Sequence, residues 1–214
     1  MSTWDRIYTT RGPVQVEPSI QIVSLVPIFK EADVAIVLDH GCGTGRHVKY
    51  LAEQGFYVIG TDYSPKALEH ARELTRGLEV ELTESPMDVI PYSSMSIDAV
   101  ISSHVIHHAT EKTRVIAFSE IARVLRKGGL FFLRTISTKQ RLYGQGREVE
   151  HNTFIDIPDL PDGKTPHHYY TEEELRRCLV GYEILSLEEM SSPPDSRGFW
   201  KHGLEEFAVL AKKR

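Results

Sequence analysis

The amino-acid sequence predicts an α/β protein built on a doubly wound, mostly parallel sheet. Apolar runs of strand length alternate with stretches of helical periodicity, and a glycine-rich loop follows the first of these runs. Such alternation is typical of a parallel sheet whose crossover helices cover both faces and whose ligands bind at the carboxyl ends of the strands. We therefore expect a single domain over residues 1–214, with its site at that edge of the sheet.

The predicted elements follow one another in chain order, each strand being a short apolar run and each helix an amphipathic stretch. Strands are predicted near 34–39, 57–61, 78–83, 97–103 and 129–136, with helices near 44–54, 65–76 and 111–126, then a helix near 171–180 and two late strands at 182–187 and 207–210.

Two segments stand outside this alternation. Residues 1–33 are expected to form one or two helices that cap the cofactor. Residues 137–170 are rich in Gly, Pro and His and have no clear period. Because long irregular segments in compact domains are usually lids or binding loops, we expect this one to reach over the site and shape the substrate pocket.

The glycine-rich loop is the most informative part of the chain. It begins with Asp39 and continues through three alternating glycines, Gly41, Gly43 and Gly45, into a predicted helix. Glycines allow a sharp turn and close approach to a ligand, and the helix offers free N–H groups. The acid would repel a pyrophosphate, so the pattern favours a ligand with positive charge and no phosphate. S-adenosylmethionine, with its sulfonium and ammonium groups, is the predicted cofactor.

A second carboxylate supports this interpretation. Asp62 ends the second predicted strand, about 20 residues after the first acid, where such folds hydrogen-bond ribose hydroxyls. The alternative is that Asp62 caps the helix that opens at Ser64 and Pro65, since such residues commonly start helices.

With these residues the chain resembles the class I S-adenosylmethionine-dependent methyltransferases. Segments 90–92, 97–103 and 121–129 look similar to the adenine loop, the fourth strand and the helix-turn-strand unit of that family. The resemblance implies a seven-stranded sheet with one antiparallel strand, the methionine end of the cofactor at the glycine loop, and its ribose at the second acid. The implied cofactor contacts are Asp39, Gly41, Cys42, Gly43, Gly45, Asp62, Tyr63, Met87 and Ser103.

One departure from the family concerns adenine recognition. Many relatives carry an acid just before the residue that matches Met87, whereas this chain has Pro86. We expect the contact from the region of Met87, with Ser85 or Asp88 as alternatives.

Composition narrows the functional classes. A hydrophobic content of 41% with 26% charged residues is ordinary for a soluble globular domain. No apolar run is long enough to cross a bilayer, and the two cysteines are too few for a disulfide framework, so we expect a cytoplasmic protein.

Cys42 is expected to be a small side chain in a crowded loop rather than a nucleophile. A net charge of −5 opposes nucleic-acid binding.

Three histidines after the fourth strand are the first catalytic candidates. His104, His107 and His108 would share one face if the stretch is helical, at the mouth where acceptors sit in the family. A base is needed only if the acceptor is not already an anion. Three histidines at this spacing can ligate zinc, but no nearby cysteine or carboxylate completes a site, so no metal is predicted.

The predicted lid supplies aromatic, cationic and amide side chains suited to holding a small polar acceptor. The substrate candidates are Tyr143, Arg147, Asn152 and His168. The alternative is a folded loop in which these side chains serve only packing.

Three functions remain open at this point. The first is methyl transfer to a small-molecule acceptor by in-line displacement. Loose similarity of segments 166–175 and 206–213 to tellurite-resistance and thiol-methylating enzymes implies a small or soft nucleophile. The second is methylation of a tRNA base, and the third is a non-catalytic regulatory subunit that binds the cofactor.

Overall fold

The computed structural model describes residues 2–194 and 203–214. Its helices are α1 Thr3–Arg11, α2 Ile20–Glu31, α3 Arg46–Glu53, α4 Pro65–Leu74, α5 Glu111–Val124 and α6 Glu172–Cys178. Its strands are β1 Ile36–His40, β2 Tyr57–Asp62, β3 Val80–Glu84, β4 Ile97–Ser103, β5 Leu125–Ile136, β6 Arg147–Glu150, β7 Thr153–Ile155, β8 His167–His168, β9 Tyr182–Ser192 and β10 Leu204–Lys213.

Seven of the strands form one sheet in the order β3-β2-β1-β4-β5-β10-β9. The pairs from β3 through β5 are parallel, and β10 runs antiparallel to both of its neighbours. This confirms the predicted α/β class with one antiparallel strand. On β1, Asp39 is in register with Gly60 of β2 and Ile101 of β4. The loops that follow these three strands therefore leave the same edge of the sheet.

The core lies in two layers on opposite faces of this sheet, as alternating strand side chains require. One layer packs α2 and α3 through Phe29 and Leu51 against Val37. The other packs α5 and α6 through Ile121 and Leu175 against the opposite face. The apolar runs of β1, β4 and β5 are buried on both sides, which is why the sequence shows them as nearly continuous hydrophobic stretches.

The boundary between α5 and β5 differs from the sequence prediction. The helix ends at Val124 and the strand begins at once, because Leu125 is already extended and pairs with Ile97. The register with β4 then shifts, so that Ala99 faces Leu130, and Gly128 within the shifted stretch has a φ of +76°. The intervening residues bulge out of the pairing, an irregularity that the hydrophobic pattern did not reveal.

The N-terminal segment forms two helices, as expected, and α1 packs against α4. Ser64 joins them: its hydroxyl accepts from the Ala67 N–H at 3.1 Å as the N-cap of α4 and donates to Asp5 Oδ1 at 2.5 Å. Ser64 is fully buried. One side chain therefore both starts α4 and fixes α1 over the sheet edge.

The predicted lid is more regular than its sequence suggests. Strands β6, β7 and β8 form a small antiparallel sheet. Phe154 and Tyr169 of this segment pack with Ile7 of α1 in a third apolar cluster. The segment therefore meets α1 above the carboxyl edge of the main sheet. Among the described helices, none is long and apolar enough to cross a membrane.

Replacing Ser64 by Ala should remove both the cap of α4 and the link to α1. We expect a loss of about 1–2 kcal/mol in the free energy of unfolding, since an N-cap alone contributes about 1 kcal/mol. Urea titration followed by circular dichroism measures this loss. Ser96→Ala, which removes an exposed hydroxyl bonded to the Ser93 carbonyl, is the control. Equal stability of the two variants would contradict the linking role of Ser64.

Candidate active site

A cleft of about 440 Å³ opens at the carboxyl ends of β1, β2 and β4. That volume is typical of a site for a small ligand or cofactor. Its floor is the glycine loop, one wall is the loop after β3, and another is the turn after β4. Side chains from α1 and from the lid lie across the cleft, so the two segments outside the strand and helix alternation both contribute to it.

The glycine loop is held to β2 by backbone hydrogen bonds. The N–H groups of Gly41 and Cys42 both donate to the Thr61 carbonyl, at 2.8 and 2.9 Å. The N–H of Gly43 donates to Asp62 Oδ2 at 2.9 Å. Gly43 has a φ of +54°, and a methyl group added there would approach the Tyr8 hydroxyl to 3.0 Å. The loop and α1 therefore almost touch, and a side chain at Gly43 would have to displace Tyr8 and adopt a strained left-handed conformation.

Two other predicted contacts in this loop have mainly packing roles. Gly45 does not line the cleft, because a methyl group there would meet Ala71 of α4 at 2.9 Å. Cys42 lines the cleft but is buried, and burial raises the pKa of its thiol well above the ordinary value. A protonated, buried thiol is a poor nucleophile, which agrees with the expectation that Cys42 is a small side chain.

Asp62 has the geometry expected of a ribose-binding carboxylate. It lines the cleft, while Oδ1 accepts from the Ser64 N–H at 2.9 Å and Oδ2 from Gly43. The N-cap of α4 is Ser64, so the alternative role of Asp62 as that cap does not hold. Each carboxylate oxygen keeps a further lone pair for a ligand hydroxyl. Burial raises the pKa of Asp62 to about 6. Tyr63 follows it at the cleft wall.

Asp39 lies behind the glycine loop rather than at the cleft wall. Burial raises its pKa to about 7, while the Arg46 guanidinium acts in the opposite direction. The nearest ring nitrogen of His47 is 4.0 Å from Oδ2. Arg46 lines the cleft, whereas Asp39 does not. The charge of Asp39 therefore affects a ligand in the cleft through its interaction with Arg46 and not by direct contact.

The loop after β3 forms the wall where adenine is expected. Met87 and Asp88 both line the cleft. His40 fixes this loop, because its Nε2 lies 2.8 Å from the Met87 carbonyl and must donate to it. Ser85 is a weaker candidate than the sequence suggested, since its hydroxyl donates to the Val89 carbonyl at 2.7 Å. Met87 therefore remains the predicted adenine contact, with Asp88 as its neighbour.

The three candidate histidines lie in a turn and not in a helix, so they do not share a helical face. His104, with a φ of +61°, directs its ring to the cleft wall. Its Nε2 is 3.0 Å from Glu206 Oε2, and Glu206 Oε1 accepts from Arg134 Nη2 at 2.6 Å. Burial lowers the pKa of His104, and the Glu206 carboxylate opposes that shift. His104 is thus held in a fixed orientation by a buried acid.

The other two histidines differ in exposure. His107 is fully buried and does not line the cleft, and its Nδ1 lies 3.4 Å from the Thr135 hydroxyl oxygen. His108 lines the cleft, with its ring centre 5.4 Å from that of Trp4. Burial lowers the pKa of His108 to about 3. Of the three, His107 is therefore the one whose predicted catalytic role the geometry opposes.

A carboxylate does approach these histidines, contrary to the premise on which the sequence analysis excluded a metal. Asp162 of the lid is fully buried and lies 3.7 Å from His108 Nε2 and 3.2 Å from His167 Nε2. Asp162 is 54 positions after His108 in the chain (162 − 108), so no local spacing signals the cluster.

The four predicted substrate residues make contacts within the lid and do not line the cleft in the described part of the chain. The Tyr143 hydroxyl donates to Asn152 Oδ1 at 2.7 Å, and its ring packs on Phe154. His168 lies between Thr153 and Glu174. Its Nδ1 is 2.9 Å from Thr153 Oγ1, and its Nε2 is 2.8 Å from Glu174 Oε1. Arg147 is exposed and 3.7 Å from Asp156. The folded-loop alternative therefore describes these residues better than substrate binding.

Sequence reasoning missed several residues at the cleft. Trp4 and Tyr8 come from α1, and Arg46 opens α3 directly after the loop. The aromatic residues on a short N-terminal helix were the available signal. Ser103, which was predicted, lies at the wall with its hydroxyl buried and without a hydrogen-bond partner among the described residues. This hydroxyl and the free lone pairs of Asp62 fit a polar cofactor.

Replacing Gly43 by Ala should weaken binding of S-adenosylhomocysteine by about tenfold or more, because the added methyl group presses on Tyr8 and strains a left-handed residue. Isothermal titration calorimetry measures the affinity. Gly77→Ala is the matched control, since Gly77 is also left-handed, at +86°, but has open space around it. If both variants bind equally well, contact between the loop and α1 does not shape the site.

Comparison with known proteins shows that the sequence is similar to those of methyltransferases. Residues 38–133 match the family model described as a methyltransferase domain. An uncharacterized methyltransferase of Geobacillus sp. is 32% identical over 68% of this chain and 67% of its own length. A probable tRNA methyltransferase 9B of Mus musculus is 35% identical over 50% of this chain, but the match spans only 23% of that relative.

A solved structure shares the fold. The 1,6-didemethyltoxoflavin-N1-methyltransferase of Burkholderia thailandensis, with bound 1,6-didemethyltoxoflavin and S-adenosylhomocysteine, has a TM-score of 0.65. It is 21% identical and covers 90% of this chain and 78% of its own. These matches lead to one conclusion: the chain belongs to the S-adenosylmethionine-dependent methyltransferases, and its sheet has the class I fold.

Proposed function

We propose that this protein transfers the methyl group of S-adenosylmethionine to a small-molecule acceptor. The main observation behind the proposal is that side chains from two other segments cover the glycine loop. Trp4 and Tyr8 of α1 and Thr165 of the lid line the cleft opposite the loop, leaving about 440 Å³. A cofactor fills much of such a volume. The remaining space suits a small acceptor held close to the methyl group, as in-line transfer requires.

The chain offers specific groups to each part of the cofactor. Asp62 accepts hydrogen bonds from the ribose hydroxyls, while Tyr63 and Met87 lie where the adenine is expected. The glycine loop gives the methionine end a close approach to backbone. When bound, the cofactor supplies an electrophilic methyl group on a sulfonium.

His104 is the proposed general base. His104 lines the cleft with Nε2 directed at Glu206, so Nδ1 is the atom that would take a proton from an acceptor group. Glu206 orients the ring and stabilises the imidazolium that forms, and Arg134 in turn fixes Glu206. Thiols and other soft nucleophiles are the first acceptors to test. Their pKa is close enough to neutrality for an imidazole to deprotonate them, unlike that of an alkyl hydroxyl.

A second candidate acceptor is a tRNA base, which the names of some curated relatives suggest. A base would have to leave its stack to reach the cleft. The net charge of −5 opposes it, because nucleic-acid binding depends on neutralising phosphates with basic side chains. The small-molecule proposal therefore comes first.

The acceptor class can be measured directly by transfer of a labelled methyl group from S-adenosylmethionine. We expect turnover on one class among small thiols, phenols and amines, with rates that change little between low and moderate salt. Bulk tRNA is the comparison substrate. Turnover on tRNA alone, lost about 1,000-fold or more between 50 and 200 mM salt, would replace the proposal by the RNA alternative.

Substitution at Glu206 should alter the pH profile in a defined direction. The carboxylate raises the pKa of His104, so Glu206→Gln lowers that pKa and moves the acid limb of kcat/KM to lower pH. The plateau should fall by about 10- to 100-fold, because the imidazolium loses its partner. His104→Gln should remove the acid limb altogether.

Glu205→Gln is the matched control. Glu205 is the next residue on β10 and bonds to the exposed Ser191 hydroxyl, away from the cleft. This variant should keep the wild-type profile. An acid limb that survives unchanged in His104→Gln would show that another group titrates and that His104 is not the base.

A further inference from the structure

The geometry points to a site for one divalent transition metal of the zinc type, which we propose is bound by His108, Asp162 and His167. The three side chains come from two segments that close the cleft: the turn between β4 and α5, and the lid. One atom from each of them lies within 4.8 Å of the other two.

The two distances from the carboxylate fit tetrahedral coordination, and the two histidine nitrogens lie within 4.8 Å of each other. Asp162 Oδ2 is 3.2 Å from His167 Nε2 and 3.7 Å from His108 Nε2. In a tetrahedral zinc site with bonds of about 2.0–2.1 Å, neighbouring ligand atoms lie about 3.4 Å apart. The observed distances fall on either side of that value. The donor set, two imidazoles and one carboxylate, is one that zinc uses with a fourth position left open.

The orientation of His167 requires a positive charge next to Asp162. His167 Nδ1 lies 2.8 Å from the Thr165 carbonyl and must donate its proton to it. In the neutral ring, Nε2 then carries a lone pair that faces the Asp162 carboxylate, so two acceptors meet at 3.2 Å. A cation between them removes the repulsion. An imidazole that donates its other N–H to a backbone carbonyl is also the usual arrangement of a metal-binding histidine.

Other polar atoms of this cluster lack hydrogen-bond partners of ordinary geometry among the described residues. Asp162 Oδ1 and both ring nitrogens of His108 are buried without a hydrogen-bond partner of ordinary geometry, and the Pro166 backbone makes only a weak contact with the His108 ring. The side chains of Asp162 and His108 are 0% and 5% exposed. A buried carboxylate with a single close partner is costly, and buried charges normally have a counter-ion or a metal.

A proton on His167 is the competing explanation. It would turn the ring into an imidazolium and pair it with Asp162. It would add no partner for Asp162 Oδ1, and of the His108 ring only the nitrogen that faces the Pro166 backbone has one. A metal instead uses His108 Nε2, His167 Nε2 and the carboxylate together.

The site also has an entry path and a structural consequence. His108 and Thr165 both line the cleft, so an ion and its fourth ligand can enter from that side. Coordination would tie the lid to the turn after β4 and hold the cleft closed. This inference does not depend on the identity of the methyl acceptor.

Protein without an affinity tag, stripped with a chelator and equilibrated with zinc chloride, tests the proposal by elemental analysis. We expect about one equivalent of zinc, a rise in melting temperature, and intense visible absorption of a tetrahedral site when cobalt chloride replaces zinc. His167→Asn and Asp162→Asn should weaken zinc binding by about 100-fold or more. His151→Asn, an exposed histidine of the same segment, should bind as the wild type does.

If His167→Asn and Asp162→Asn do not fold, His108→Gln is tested in their place, because the His108 ring lies at the cleft wall. Nitrogen NMR of the histidine rings separates a metal from a proton. Loss of the His108 and His167 lone-pair signals on adding zinc supports the site. A protonated His167 Nε2 that excess zinc leaves unchanged, or less than about a tenth of an equivalent of bound zinc, overturns it. None of these measurements requires S-adenosylmethionine, so they stand apart from the proposed activity.

Discussion

The parallel register of β1 and β2 is the constraint on which the site depends. Because His40 faces Thr61, the chain leaves β1 beside the end of β2, and the Thr61 carbonyl collects the N–H groups of Gly41 and Cys42. The next N–H, from Gly43, reaches Asp62. The glycine loop and Asp62 are thus parts of one hydrogen-bonded unit. A shift of one residue in this register would separate them.

This unit could be predicted from sequence because its signals are local. The strand, the acid and the alternating glycines occur within a few positions, and each carries its own physical meaning. The sheet was predictable for the same reason, since apolar runs alternated with helical periods. The errors at Leu125 and in the lid have a common cause: short irregular pairings, such as the bulge at Gly128, leave no periodic trace.

The acceptor end was much less predictable. The sequence pointed to the three histidines after β4 as candidates, but it did not show which residues contact them. Glu206 lies 102 positions after His104 in the chain (206 − 104), and Asp162 comes from a segment without period. The substrate candidates do not line the cleft in the described part of the chain, for the opposite reason. Polar aromatic side chains such as Tyr143 look suited to ligands, yet a small domain segment also needs them to satisfy its own buried groups, as Asn152 shows.

The position of β10 connects the site to how the chain folds. β10 lies between β5 and β9, both of which precede it in the sequence. During synthesis, β9 therefore emerges with no neighbour in the sheet and can join only when β10 has been made. Glu206, the partner of His104, is on that strand. Completion of the sheet and pairing of His104 with Glu206 are one late event, so a partly made chain can form the glycine loop long before the His104 ring has its partner.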